Sequence, residues 1–261
     1  MLTRNQKNYT ACRVRRQDPW VVYSCGACRY YPQAMIETSE NPVSLPSALG
    51  NDLLPWIESS LAAGRNILAK SNQGILLMFE GDGLHLVIKS AMGRGAIRKA
   101  RQTTLEREYA AYRRLEGVVG VPICHGLLAR RYLLLDYIAG TAYREASWQD
   151  RDDWFAGLLK VIRAFHSRGV SHGDLKSKSN LIVGYDQRPW VIDFGTAFVL
   201  RDGFHPLNNR LFEYGKRLDI NAWVKHKYHG RYKDASAEDR ELLDYSKIEY
   251  LIRKLRGRPM H

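Results

Sequence analysis

Between Asn66 and Leu115 the spacing of apolar residues changes period, and this change constrains the fold more than any other feature of the chain. Ile75-Leu76-Leu77-Met78-Phe79 and Leu84-His85-Leu86-Val87-Ile88-Lys89 read as strands joined by the turn signal Gly81-Asp82-Gly83. Over 103–115, Leu105, Tyr109, Tyr112 and Leu115 recur at spacings of four and three, the period of a helix with one apolar face. Thr103 and Glu106 fit a capping box at its start. A further apolar strand is expected over 132–137. Trp154, Phe155, Leu158, Leu159, Ile162 and Phe165 mark a second amphipathic helix closed by Gly169. Residues 181–183 and 190–192 flank a polar turn, as in a hairpin. A short helix is expected over 53–63, with Pro55 in its first turn. The first fifty residues, punctuated by Pro19, Pro32, Pro42 and Pro46, read as an extension packed on the strand-rich half of the chain. A strand-rich half leading into a helical half is an α+β pattern.

Composition excludes several classes. With 45% hydrophobic residues over 261 positions the chain can bury a core. Its apolar runs fall far short of the roughly 20 residues a membrane span needs, and no apolar stretch near the N-terminus forms a signal-peptide core. A cytoplasmic protein is expected. Cys12, Cys25, Cys28 and Cys124 are too scattered for a disulfide framework. Cys25-Gly-Ala-Cys28 has the spacing of half a zinc site without a second half, so ordinary thiols are expected. The net charge of +13 favours polyanionic partners. Its clusters lie at Arg13, Arg15 and Arg16, at Arg94, Arg98, Lys99 and Arg101, and at Arg253, Lys254, Arg256 and Arg258. Nucleic acid, anionic lipid, phosphorylated substrates or a merely soluble surface would each account for the charge.

The chemistry concentrates in His172-Gly173-Asp174-Leu175-Lys176-Ser177-Lys178-Ser179-Asn180 and in Asp193-Phe194-Gly195. Asp174, on a loop leaving a helix, can accept a proton from a hydroxyl. Asn180 and Asp193, at facing ends of paired strands, can direct oxygens to one hard cation such as magnesium. Phosphoryl transfer needs a metal clamp, a base and a cation on the phosphates. Lys89, at the end of its strand, supplies that cation. Glu108 lies three residues after Leu105 and four before Tyr112, on the helix's apolar face, where a carboxylate is costly unless paired. Glu106 shares a face with Arg113 and reads as solvated. Glu108 is therefore the expected partner of Lys89. Lys176 reads either as a contact to the transferring phosphoryl group or as a solvated loop lysine, and His172 as a packed scaffold residue.

Taken in order, Lys89, Glu108, His172-Gly-Asp174, Asn180 and Asp193-Phe-Gly195 resemble the signature of protein-kinase-like phosphotransferases. The resemblance implies a two-lobed fold, with an N-lobe over 51–138, a compact helical C-lobe over 139–261 and the extension 1–50 packed on the first lobe. It implies ATP and Mg2+ as cosubstrate and cofactor. The chain departs from the pattern in three places. Five residues rather than four separate Asp174 from Asn180, only Gly74 lies where several glycines would cover the phosphates, and no Ala-Pro-Glu segment follows Gly195. With 66 residues after Gly195, the C-lobe looks like those of compact sugar, lipid, RIO or Bud32-like kinases. The tail Asn209-Arg-Leu through Arg217-Leu-Asp219-Ile, then Lys225-His-Lys-Tyr, is similar to bacterial kinases of the lipopolysaccharide core acting on Kdo or heptose. That likeness implies Asp219 as a brace beneath the catalytic loop, or else an ordinary solvated acid. It implies an anionic glycolipid acceptor met at the inner face of the cytoplasmic membrane, with Arg94, Arg98, Lys99 and Arg101 as acceptor-binding candidates. The alternatives are an atypical Ser/Thr kinase and a pseudokinase or binding module; a nucleic-acid binder would leave the five catalytic positions unexplained.

Overall fold

The structure, a computed structural model, describes residues 47–71, 74–81 and 83–244. The expected extension lies outside these residues, save 47–50, as do Cys12, Cys25, Cys28, Asp82 and the basic clusters at Arg13–Arg16 and Arg253–Arg258. The chain forms α1 (Ser47–Ala63), β1 (Ile67–Lys70), β2 (Gly74–Gly81), β3 (Leu84–Ala91), α2 (Gly95–Arg114), β4 (Cys124–Leu128) and β5 (Tyr132–Asp136). It continues with β6 (Gly140–Ala142), α3 (Arg151–Ser167), β7 (Val170–Ser171), β8 (Leu181–Gly184), β9 (Pro189–Val191) and β10 (Phe198–Val199). Helices α4 (Pro206–Lys227) and α5 (Ala237–Glu241) follow. The architecture is α+β: β1–β5 make one antiparallel sheet in the order β1-β2-β3-β5-β4, and the described residues after it carry α3, α4 and α5 with two small sheets, β10-β7 and β6-β8-β9.

Side chains alternate across this sheet, which decides where Lys89 points. Leu86 and Ile88 of β3, with Leu77, Phe79, Tyr132 and Leu134, form one core with Leu53 and Ile57 of α1. Leu133 and Leu135 of β5 and Ala91 of β3 join instead the core built with Leu105, Ala111 and Tyr112 of α2. Lys89 pairs in register with Leu133 and Leu76, so it leaves the sheet on the α2 face.

Two expected boundaries are corrected. Helix α1 begins at Ser47, so Pro55 stands in its interior rather than its first turn. The backbone hydrogen bond lost there is offset by burial of Leu53 and Ile57, which are 1% and 0% exposed. Helix α2 begins at Gly95, and Thr103 is no cap: its hydroxyl donates to the Lys99 carbonyl at 3.1 Å, in the manner of a mid-helix threonine. Residues 96–100 are exposed and carry no apolar period to read. Arg94 is the N-cap, and Arg98, Lys99 and Arg101 stand on the first turns of α2 rather than on a connecting loop. Glu106 meets Arg130 at 2.8 Å on the surface instead of Arg113.

The second half is assembled on α3 and α4. Asp150 caps α3 by accepting from the Asp153 amide at 2.9 Å. The expected hairpin forms as β8 and β9, with β6 added on the other side of β8. Trp223 of α4 donates its indole N–H to the Phe155 carbonyl of α3 at 2.8 Å. Helix α4 crosses β7 closely because Gly215 has no side chain: a Cβ there would run into the Ser171 hydroxyl and approach Phe198 to 2.7 Å. Gly215→Ala should therefore lower stability by about 1–3 kcal/mol through overpacking, despite alanine's better helix propensity. Urea unfolding checks this, and an unchanged midpoint would show that α4 and β7 have room to spare.

Candidate functional site

Lys89 and Glu108 meet as the strand and helix periods require. The Lys89 ammonium donates to both Glu108 oxygens, at 2.7 and 2.8 Å, and to Asp193 Oδ1 at 2.9 Å. Glu108 is 1% exposed. Burial by itself favours a neutral Lys89, but the charges of Glu108 and then Asp193 outweigh it and raise the amine well above the ordinary lysine value. Burial pushes Glu108 up to about 7; Lys89 pulls against that rise and Asp193 adds to it. Burial would also raise Asp193, yet the Lys89 charge and hydrogen bond hold it below the usual carboxylate range. One ammonium between two carboxylates leaves a surplus of negative charge when all three are ionised. The group borders a cavity of about 200 Å³ lined also by Ser71, Gly74, Thr104 and Gly195.

The loop carrying Asp174 is suspended from α4. Asp219, fully buried, accepts from the amides of His172 at 2.8 Å and Gly173 at 2.9 Å, and its Oδ2 lies 3.0 Å from His166 Nε2. It is a brace and not a solvated acid. His172 Nε2 donates to the Ile192 carbonyl at 3.0 Å, which leaves Nδ1 to accept the Asp174 amide at 3.3 Å. This fully buried ring packs on Phe194 and is a scaffold, as its sequence position indicates. His226 of α4 donates Nε2–H to the Leu175 carbonyl at 2.9 Å. The carboxylate of Asp174 has no hydrogen bond or ion pair among the described residues, and it is only partly buried. No family model and no curated protein matches this chain.

Tight turns fill the stretch between Asp174 and Asn180. The Ser177 amide donates to the Asp174 carbonyl at 3.2 Å, the Asn180 amide to the Ser177 carbonyl at 3.2 Å, and Lys178–Asn180 is a single 3-10 turn. Asn180 spends its Nδ2 on the Asp174 carbonyl at 3.0 Å, which leaves Oδ1, in a 3.4 Å contact with the Ser179 hydroxyl, as its remaining donor to a cation. Among the described residues, no group of three or more His, Cys, Asp or Glu could hold a metal ion. The Asp193 carboxylate and the Asn180 carbonyl are hard oxygens. They suit magnesium as it binds with nucleotide phosphates, keeping water and few protein ligands, and not as it would sit in a protein cage.

The other candidates divide. Gly74 lines the cavity, but its missing side chain has a packing reason, since a Cβ would collide with the Ser90 carbonyl. Arg101 lines the cavity and donates to the Met92 carbonyl at 2.7 Å. Arg94, Arg98 and Lys99 are exposed and outside that lining, and Lys176 is exposed at the next loop turn. Sequence reasoning misses His166, Thr196, whose hydroxyl donates to the His172 carbonyl at 3.0 Å, and His226. Spacing gives only His226 a signal, because it stands seven residues from Asp219 on one face of a helix.

Burial pushes His226 down to about 4, against the opposing Leu175 hydrogen bond and with help from Lys178, Lys225 and Arg144. As pH falls from 6.5 towards 4, the unfolded chain takes up a proton that folded His226 refuses, so stability is lost, on the order of 3 kcal/mol in all. Glu108 acts with the opposite sign: between 4.5 and about 7 the folded chain keeps a proton that the unfolded chain releases, so stability falls as pH rises. The stability difference between the wild type and His226→Gln isolates the histidine. It should shrink steadily from pH 6.5 to 4, and a difference independent of pH would show His226 to be ordinary.

Proposed function

We propose that this chain is an ATP-dependent phosphotransferase with the two-lobed protein-kinase-like fold, passing the γ-phosphoryl group to a hydroxyl of an anionic sugar, the Kdo or heptose of the lipopolysaccharide inner core. The observation that carries the reading is the Lys89 ammonium held by Glu108 and touching Asp193. These residues are far apart in sequence and answer to the signature that the chain resembles. The braced Asp174 loop supports it further.

In this reading Lys89 positions the phosphates, and Glu108 keeps its amine charged and aimed. Asp174 orients the acceptor hydroxyl and accepts its proton, which a carboxylate without a partner among the described residues leaves it able to do. Asp193 and Asn180 would hold magnesium, which neutralises charge on the transferring group when bound. Lys176 is exposed one turn beyond Asp174 and can meet the phosphoryl group. Arg101, at the cavity wall, is better placed for an anionic ligand than Arg94, Arg98 or Lys99. The surplus of basic residues suits an acceptor that is itself polyanionic. Among the described residues no helix is long and apolar enough to cross a membrane, so the glycolipid would be met from the surface.

The purified chain, given γ-labelled ATP and lipopolysaccharide from a strain lacking the gene, should label the glycolipid, and Asp174→Ala should slow this by about 10²–10⁴-fold. Mass spectrometry of the core oligosaccharide from that strain should show one phosphate missing. Label in protein instead would make the chain an atypical Ser/Thr kinase. An unchanged core would defeat the glycolipid acceptor, and an Asp174→Ala variant that fully restores the strain would make the chain a binding module.

A further inference from the structure

Isolated apolar residues on a protein surface are ordinary, but those of this chain are clustered. Of the eight large hydrophobic residues exposed among the described ones, four fall within eleven positions: Phe204 is 90% exposed, Leu207 70%, Leu211 40% and Tyr214 36%. Leu207, Leu211 and Tyr214 recur at spacings of four and three, so they form a stripe along the first half of α4. The side of that helix next to the stripe is buried through Phe212, Gly215, Asp219 and Trp223. Phe204 extends the stripe from the turn before the helix.

This exposure is built in. At the near end of the turn, the Arg201 amide donates to Asn208 Oδ1 at 2.7 Å, and Asn208 Nδ2 donates to the Val199 carbonyl at 3.0 Å. Strand β10 is itself paired with β7, and the Leu200 amide donates to the Gly169 carbonyl at 2.7 Å. The turn is thus stapled to the base of α4, and Phe204 projects from a fixed support.

The charges around the stripe have one sign left over. Arg210 stands three residues after Leu207 and four before Tyr214, within the stripe, and Arg201 and His205 flank Phe204; all three are exposed. The acids here are engaged: Asp202 with Arg114 at 2.8 Å and Glu213 with Lys216 at 3.1 Å. A helix lying along a surface, apolar in one strip and basic within and beside it, matches the interface between headgroups and acyl chains of an anionic bilayer. Four side chains, two of them less than half exposed, fall short of the ~800 Å² per partner of a standard protein interface.

We infer that Phe204 and the Leu207, Leu211 and Tyr214 stripe of α4 dock the protein on an anionic membrane surface, the apolar side chains entering the headgroup boundary and Arg201 and Arg210 meeting lipid phosphates. The stripe belongs to the helix that suspends the Asp174 loop, so docking fixes the orientation of that loop relative to the bilayer. The inference does not depend on phosphoryl transfer.

The test uses the full chain without nucleotide or sugar, floated with vesicles of phosphatidylcholine alone or mixed with phosphatidylglycerol. Binding should require phosphatidylglycerol and weaken with salt. The double variant Phe204→Ser/Leu207→Ser should bind at least about tenfold more weakly with an unchanged unfolding midpoint, and Arg210→Gln about fivefold more weakly. Equal binding by wild type and double variant would overturn the inference, as would binding indifferent to phosphatidylglycerol. So would a wild type that stays unbound while the double variant loses stability, which would mean that another part of the chain covers the stripe. A wild type that dimerises through the stripe without binding vesicles would also overturn it.

Discussion

A single ammonium group decides how the two halves of this protein meet. Lys89 leaves β3, Glu108 comes from α2 and Asp193 from the turn after β9, positions separated by 19 and 104 residues. A carboxylate as buried as Glu108 would cost roughly 3–5 kcal/mol if left charged and unpaired, so the lysine stabilises the helix where it sits. The strand alternation that aims Lys89 at α2 and the helical phase that turns Glu108 towards the sheet are thereby tied to one geometry. Asp193 then fixes the 193–195 turn against both.

The parts of this arrangement visible in the sequence are those where a physical cost shows in the pattern. Glu108 on an apolar face advertises its need for a partner, and the apolar run Leu86-Val87-Ile88 advertises a strand, although Lys89 does not end it as expected: β3 runs on to Ala91. Strands β2, β3 and β5, the β8–β9 hairpin and the helices α2 and α3 follow from period and turn signals, whereas the short strands β4, β6, β7 and β10 and the helix α4 do not. Nor does the start of α2, because residues 96–100 are solvated and leave no trace of their turns. Thr103 misleads for the same reason: the Thr-x-x-Glu spacing is that of a cap, and only the preceding exposed turns make it an interior threonine. Pro55 misleads because burial of its neighbours outweighs a local rule.

Within the site, the pairs that span the chain are the least legible. Nothing near His166 in sequence indicates that its ring reaches Asp219, and nothing near Thr196 indicates the His172 carbonyl. Such contacts are set by how α3, α4 and the loop after β9 stack, and each is a single hydrogen bond with no periodicity behind it. Gly74 shows the converse. Its position invites a ligand-facing reading, but the nearest reason for its small size is the carbonyl of Ser90 on the neighbouring strand.

Asp219 and His226 hold the loop from two points on one rigid rod, seven residues and so about 10 Å apart. A single attachment would let the loop pivot, whereas two fix its tilt as well as its height. The two grips work together only while the helix keeps its phase. One residue inserted or deleted between them would swing one grip by about 100° relative to the other, so this short stretch of α4 should be closed to changes of length even where individual side chains are free to vary.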